Sequence, residues 1–442
     1  MTDTETAYNS ALDYLYSFVD YSLKHSSELA KADFNLDRMR ALMTELGNPE
    51  RQYPIIHVAG TKGKGSVSAL CASGLKAAGY KVGLYTSPHL LDYTERIQIN
   101  GQPIPHQGLA DLVEQVKPAV AKIPKLTTFE ITTALGLLYF ARNKVDAAVI
   151  EVGLGGRLDA TNVVTPKVSV ITSLSYDHMA VLGNTLTLIA GEKAGIIKPG
   201  IPVVSAPQKG EALEVLVRVA KERNSQLILI GRDVPYQPLE HSLDNQTLKI
   251  ANSEFTIPLL GIHQVDNAAT AYAALKSSGL EISDDQICKG FAEVKWPARF
   301  EVVRRNPPVI FDSAHNQESF ARLRQALDDY FPGKPVYLIF GASEDKNIPG
   351  MFMEIKPKVK KMFVTHADHP RALGPEKIIE LARQAGIPHE AMASVAAGFE
   401  CALDLSAKDG SIVLSAGSMF VTAEVMKKWN LRETRVGGRQ SS

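Results

Sequence analysis

The stretch "HVAGTKGKGSVSA", from His57 to Ala69, holds the densest group of residues able to do chemistry. Gly60, Gly63 and Gly65 allow close backbone approach, the intervening amides can face an anion, and a following helix would present its positive end there. Lys64 adds a point charge suited to β- and γ-phosphates, and Thr61, Lys62 and Ser66 complete the candidate phosphate-binding stretch. The spacing departs from the strict G-x-x-x-x-G-K-[ST] pattern twice: Val58 stands at the first glycine, and Gly65 follows the lysine. Taken alone, the segment fits a phosphate cradle and a plain glycine-rich turn.

Other strand ends weigh toward the cradle. "DAAVIEVG" places Glu151 after an apolar run, where a magnesium–nucleotide site commonly puts a carboxylate. "SLSYDHMAVLG" places His178 after another, and "YTSPHL" places Ser87 after a third. Each alone has a bland reading as a solvated or packed side chain. Three candidate metal ligands after three strands favour a site.

The elements that must carry these residues follow from the hydrophobic pattern. "IIHVAG", "YKVGLYTS", "DAAVIEVG", "KVSVITSLS" and "IPVVSA" read as strands, and "VSALCASGLKAAG" has helical spacing between the first two. A second alternation follows "WPARFEVV": "PVIFDSA", "ESFARLRQALDDYF", "PVYLIFGAS", "KMFVTHA", "PEKIIELARQAG" and "SIVLSAG". We expect an α/β chain with a P-loop-type, mostly parallel sheet flanked by helices in residues 1–296. A smaller Rossmann-like α/β domain should fill 297–442, with a frayed polar tail "RETRVGGRQSS".

Bulk composition excludes several classes. The 442 residues carry 48 Lys+Arg against 48 Asp+Glu, so no excess charge favours nucleic acid or a membrane surface. No run of about 18 apolar residues suggests a span. Cys71, Cys288 and Cys401 lie far apart, which fits small apolar packing in a reducing compartment better than disulfides. The expectation is a soluble, cytoplasmic protein.

The ordered set "HVAGTKGKGS", "YTSPHL", "EVGLGGRLDATN", "SYDHMAVLG", "AGEKAGIIKPG", "GIHQVDNAATA", "WPARFEVV", "DSAHN" and "GSMFVTAE" resembles the folylpolyglutamate synthase and dihydrofolate synthase family of the Mur ligase superfamily. The resemblance covers roughly residues 10 to 425 and accounts for the departures in the glycine loop. It implies ATP-dependent ligation of L-glutamate to a folate or pteroate carboxylate through an acyl phosphate. It implies that Ser87, Glu151 and His178 bind Mg2+, and that Lys193 is carbamylated to support the second metal; without it, Lys193 reads as a surface lysine. Asn267, Arg299 and Asp312 would bind ATP, with His315 near the reacting phosphate. Ser313 stands where the family usually has glycine.

For the pterin, the resemblance points to Phe129 as a stacking surface, Asp159 as a bidentate acceptor, and Asp33, with Phe34 and Asn35 beside it. Phe129 also reads as core. The loop "THADHPRAL", with His366, Asp368, His369 and Arg371, would lie near bound glutamate. The aspartate of "GLGGRLDATN" leans toward the bacterial bifunctional type, and a monomer is the family's usual state. Two alternatives remain: a related ligase acting on a UDP-sugar peptide, and a nucleotide-binding protein without ligase activity.

Overall fold

The computed structural model describes residues 3–21 and 34–437. The chain forms two compact units, the first made of 1–240, 246–258 and 264–295, the second of 241–245, 259–263 and 296–442.

The first unit is organised by β1 (Ile55–Ala59), whose five residues are all buried. A fully apolar environment on both faces is what a central parallel strand requires. β2 (Val82–Tyr85), β3 (Ile97–Ile99), β4 (Gln102–Pro103), β5 (Ala147–Glu151), β6 (Val168–Ile171), β7 (Val203–Ser205) and β8 (Leu227–Leu229) complete an eight-stranded sheet in the order β4-β3-β2-β5-β1-β6-β7-β8. β2, β5, β1, β6, β7 and β8 run parallel, while β3 and β4 add an antiparallel edge. The chain leaves β1 for β2 across β5, then returns to fill both sides of β1. That reversal opens a crevice beyond the C-terminal end of β1, where open α/β sheets bind ligands.

Two apolar clusters cover the sheet. Phe140, Leu135 and Ile131 of helix Thr128–Arg142 pack with Tyr85 and Ile150, and Leu186 and Ala190 of helix Leu186–Ala194 are buried in one cluster with Ile171 and Val203. Each fully buried aliphatic or aromatic side chain is worth about 1.5–3 kcal/mol relative to exposure. Helix Thr128–Arg142 starts at a capping box, in which Thr127 Oγ1 accepts from Glu130 N and Glu130 Oε2 accepts from Thr127 N.

β9 (Tyr236–His241), β10 (Gln246–Ile250) and β11 (Ser253–Ile257) form a separate antiparallel sheet, a feature absent from the sequence reading. In the second unit, β12 (Glu301–Arg305), β13 (Pro308–Phe311), β14 (Val336–Phe340), β15 (Val359–Val364), β16 (His389–Ala391) and β17 (Ile412–Ala416) form a six-stranded sheet ordered β12-β13-β17-β14-β15-β16. Only β12 pairs antiparallel. Phe320, Leu323 and Leu327 of helix Gln317–Tyr330 bury their stripe in the same cluster as Leu338 and Phe340.

The expected fraying from Arg432 onward is corrected. Helix Met419–Gly437 continues through most of that segment, and residues 438–442 lie outside the described ones. Among the described residues, no helix is long and apolar enough to cross a membrane, and all three cysteines are free.

Candidate active site

The glycine loop is shaped by close approach. A Cβ on Gly60 would lie 1.8 Å from Thr172 Oγ1, and one on Gly63 would lie 2.3 Å from Asn267 Oδ1. Gly63 also has φ of +89°. The buried Asn267 is thereby placed against the loop, its amide nitrogen donating to Gln264 Oε1 at 2.9 Å. We predict that Gly63→Ala loses about 1–2 kcal/mol from the left-handed backbone alone, and that the displaced Asn267 weakens nucleotide binding. Urea unfolding with wild-type midpoint and nucleotide titration with wild-type affinity would together contradict this geometry.

Not every amide of the loop faces outward. The N–H groups of Thr61 and Lys62 both donate to Ser173 O, at 3.0 and 3.1 Å, and Thr61 Oγ1 bonds Ser175. Lys62 Nζ is 3.0 Å from Asp177 Oδ2. The loop amides left to face an anion are therefore those of its second half. Helix Lys64–Ala77 starts at Gly63 with no side-chain cap, so the N–H groups of its first turn, including those of Gly65 and the buried Ser66, are left for a ligand. Lys64 opens that turn and is partly exposed.

Beneath the loop lies Lys193, at the last turn of helix Leu186–Ala194. It is buried, and its Nζ donates to Gly60 O at 2.8 Å. Burial brings this amine down from its ordinary value to about 7; the charges of Lys64 and Lys62 push the same way, and Asp177 and Asp159 oppose them. The surface-lysine reading of this position is excluded.

Ser87 and Glu151 come together at the ends of β2 and β5, where Ser87 N donates to Glu151 Oε2 at 3.3 Å and Glu151 is buried. A hydroxyl beside a carboxylate is a hard oxygen set that suits magnesium, which keeps several waters and takes its other ligands from substrate phosphates. His178 is joined to a neighbour the sequence reading passed over. Its N–H donates to Asp177 Oδ1 at 3.0 Å and its Nε2 lies 3.9 Å from the same oxygen. Among the described residues, no three His, Cys, Asp or Glu converge as a preformed metal cage.

Phe129 and Asp159 meet around one loop. The Phe129 ring is partly exposed and lies against Gly153, where a Cβ would come within 2.4 Å of its Cζ. Asp159 Oδ2 accepts from the next amide, Leu154 N, at 2.8 Å, while Oδ1 accepts from Thr161 N and Thr161 Oγ1 at 3.0 and 2.5 Å. Burial raises the Asp159 carboxyl, and these donors pull it back. The carboxylate holds its own loop and caps the turn Ala160–Val163; with about four acceptor positions it can still take a ligand. Asp33 lies outside the described residues.

In the second unit, Asp312 follows β13 and grips two backbone amides, Phe300 N at 2.8 Å and Ala314 N at 2.7 Å. Burial raises its carboxyl, against these bonds and the charge of Arg299. Arg299 stands between Ala298 and Phe300, both non-glycine residues at positive φ, 55° and 48°. Such strain persists only where surrounding bonds fix it, and it gathers at functional sites. His315 Nδ1 lies 2.8 Å from Ser313 O, which fixes the proton on Nδ1. Ser313 is buried with no partner for its hydroxyl, so glycine would serve this turn equally. His369 stacks on Phe420 with centroids 3.7 Å apart, and Arg371 N donates to His369 Nδ1. The "THADHPRAL" loop is thus held by ring packing and backbone bonds.

A glycine loop after a central parallel strand, a buried lysine under it and an oxygen pair beside it define a nucleotide-dependent ligase site of the Mur type. Residues 58–275 match the Mur ligase middle domain, and 298–419 match the Mur ligase glutamate ligase domain. The dihydrofolate synthase/folylpolyglutamate synthase of Bacillus subtilis is 38% identical over 391 residues, covering 83% of this chain and 87% of that protein. The Mycobacterium tuberculosis folylpolyglutamate synthase complexed with ADP superposes with a TM-score of 0.87 at 31% identity, over 96% of this chain and 98% of that one. Escherichia coli FolC in complex with DHPP and ADP gives 0.84 at 33% identity, over 96% and 98%. The chain belongs to the dihydrofolate synthase/folylpolyglutamate synthase family of the Mur ligases, and it is an ATP-dependent ligase.

Proposed function

We propose that this protein joins L-glutamate to the carboxylate of a folate or of dihydropteroate. A carboxylate oxygen of the substrate attacks the γ-phosphorus of ATP, forming an acyl phosphate and releasing ADP. The glutamate amine then attacks the acyl carbon, and the tetrahedral intermediate expels phosphate as the amide forms. The observation that carries this reading is Lys193 Nζ, buried on the Gly60 carbonyl at 2.8 Å. An amine buried at this cost beneath a glycine loop is the kind of perturbed group that gathers at catalytic sites.

The residues divide the work as follows. Gly63, Lys64, Gly65 and Ser66 cradle the phosphates, with Thr61 and Lys62 holding the loop in shape, and Asn267, packed against Gly63, is assigned to ATP. Ser87 and Glu151, with His178, would hold magnesium, which screens the repulsion between the triphosphate and the attacking carboxylate. An amine near 7 is substantially neutral at physiological pH, the form that takes up carbon dioxide, and the carbamate so formed at Lys193 would be a carboxylate-like metal ligand. In the second unit, Arg299 and Asp312 are assigned to ATP and His315 to the transferred phosphate. Phe129 stacks on the pterin and Asp159 accepts its ring hydrogens. We infer a cytoplasmic monomer that uses both dihydropteroate and reduced folates.

The test is phosphate release from ATP and magnesium with L-glutamate, comparing 7,8-dihydropteroate with tetrahydrofolate and following the products by mass. A gain of one glutamate on both substrates is expected. A gain on one alone would assign a single branch of the family. No release with either, from protein that binds ATP, would overturn the ligase reading in favour of a different acceptor or a binding role.

A further inference from the structure

One buried ionisable side chain has no part in the chemistry above. His57, in the middle of β1, is fully enclosed. Its Nε2 lies 2.9 Å from Thr161 Oγ1, and that hydroxyl donates to Asp159 Oδ1. A threonine has one hydroxyl proton. Since Thr161 gives it to Asp159, the hydrogen between His57 and Thr161 must come from the imidazole. Burial, reinforced by Lys198, lowers the His57 pKa to about 3, so the ring is neutral and its single N–H sits on Nε2.

The other ring nitrogen shows why this residue is informative. Nδ1 is buried without a hydrogen-bond partner. A buried acceptor left unpaired destabilises the fold, and an aliphatic side chain would fill this core position without that penalty. The imidazole is therefore justified by its Nε2 end alone. The turn it reaches is braced elsewhere too: Lys198 Nζ donates to Asn162 O at 2.9 Å, and Asn162 Nδ2 donates to Arg157 O and Gly195 O.

We propose that His57 is a positioning residue: through the Thr161 hydroxyl it fixes the Asp159 carboxylate for the pterin. One strand then carries the phosphate loop at its end and sets the folate loop from its side. The inference rests on the reading of Asp159 as a pterin contact.

Steady-state kinetics of His57→Leu, Thr161→Val, Thr161→Ser, Asp159→Asn and the His57→Leu/Thr161→Val pair test it, with dihydropteroate and ATP varied separately. His57→Leu and Thr161→Val should each raise KM for dihydropteroate about tenfold, the worth of one hydrogen bond to a charged group. KM for ATP should stay unchanged, Thr161→Ser should behave as wild type, and the double variant should be no worse than Thr161→Val. Additive losses, or equal changes in both KM values, would overturn the relay and leave His57 a packing residue. Should His57→Leu fail to fold, the Thr161 pair decides, since it leaves β1 intact. An Asp159→Asn variant with wild-type KM for dihydropteroate would instead remove the underlying reading of Asp159. A raised KM in Asp159→Asn beside a normal one in Thr161→Val would remove the relay alone.

Discussion

Replacing Lys64 by Ala is expected to lower turnover by about 1,000-fold, the scale lost when a preorganised charge or donor is taken from a transition state, while the melting curve stays near that of the wild type. The side chain is partly exposed at the first turn of helix Lys64–Ala77, so its removal opens no cavity in the core. Alanine is also the better helix former. What disappears, on the proposed mechanism, is the point charge assigned to the phosphates as the carboxylate oxygen attacks γ-phosphorus. Turnover and circular dichroism measured on the same preparation check the prediction. Turnover within a few-fold of wild type would refute the phosphate-cradle reading of the whole loop.

The second large effect belongs to Lys193. On the proposed mechanism, Lys193→Met is expected to lower turnover by about 100-fold or more, because no amine would remain to form the carbamate assigned to the metal, and added bicarbonate should not restore it. Stability should move the other way. The folded amine titrates near 7, against 10.5 for the exposed group. Between those values the unfolded chain binds a proton that the folded chain does not, so the stability of the unmodified protein rises with pH across this window. The burden of burying the amine is fully present at and below pH 7 and fades toward 10.5. In bicarbonate-free buffer, Lys193→Met should therefore gain melting temperature over the wild type at pH 7, and less at pH 9. Full turnover in the variant would remove the carbamate from the mechanism, and a lower melting temperature at pH 7 would contradict the burial of a depressed amine.

Much of this was legible in the sequence because the strands that carry the site are continuous apolar runs. "IIHVAG", "DAAVIEVG" and "KVSVITSLS" announce β1, β5 and β6, and the candidate residues stand where those runs stop. The antiparallel β9–β11 sheet was harder to see. β9 is an edge strand, exposed at nearly every position and interrupted by Pro238, so it has neither an apolar run nor a clean alternation. Lys193 could be singled out only through the family resemblance, since a lysine at the end of a short helix is ordinarily solvated; its burial arises from the fold. Asp177 carries no distinguishing sequence signal, since an acid beside His178 in "SLSYDHM" also fits a solvated loop; its contacts with Lys62 and His178 arise from the fold. Thr161 and His57 carry no sequence signal for a mutual contact, being 104 positions apart. The capping box at Thr127 and Glu130, by contrast, is a plain T-x-x-E pattern that could have fixed the start of the Phe129 helix in advance.

The shared acceptor at Ser173 bears on how affinity for nucleotide arises. Because the N–H groups of Thr61 and Lys62 both end on one carbonyl, with Lys62 and Ser173 paired as an isolated antiparallel bridge, the hydrogen bonding of the sheet runs on past the end of β1 into the loop. Folding, rather than binding, therefore meets the conformational entropy of ordering that half of the loop. A nucleotide bound as proposed at Gly63 to Ser66 would find its receptor already rigid on one side, and more of each new contact would appear as affinity.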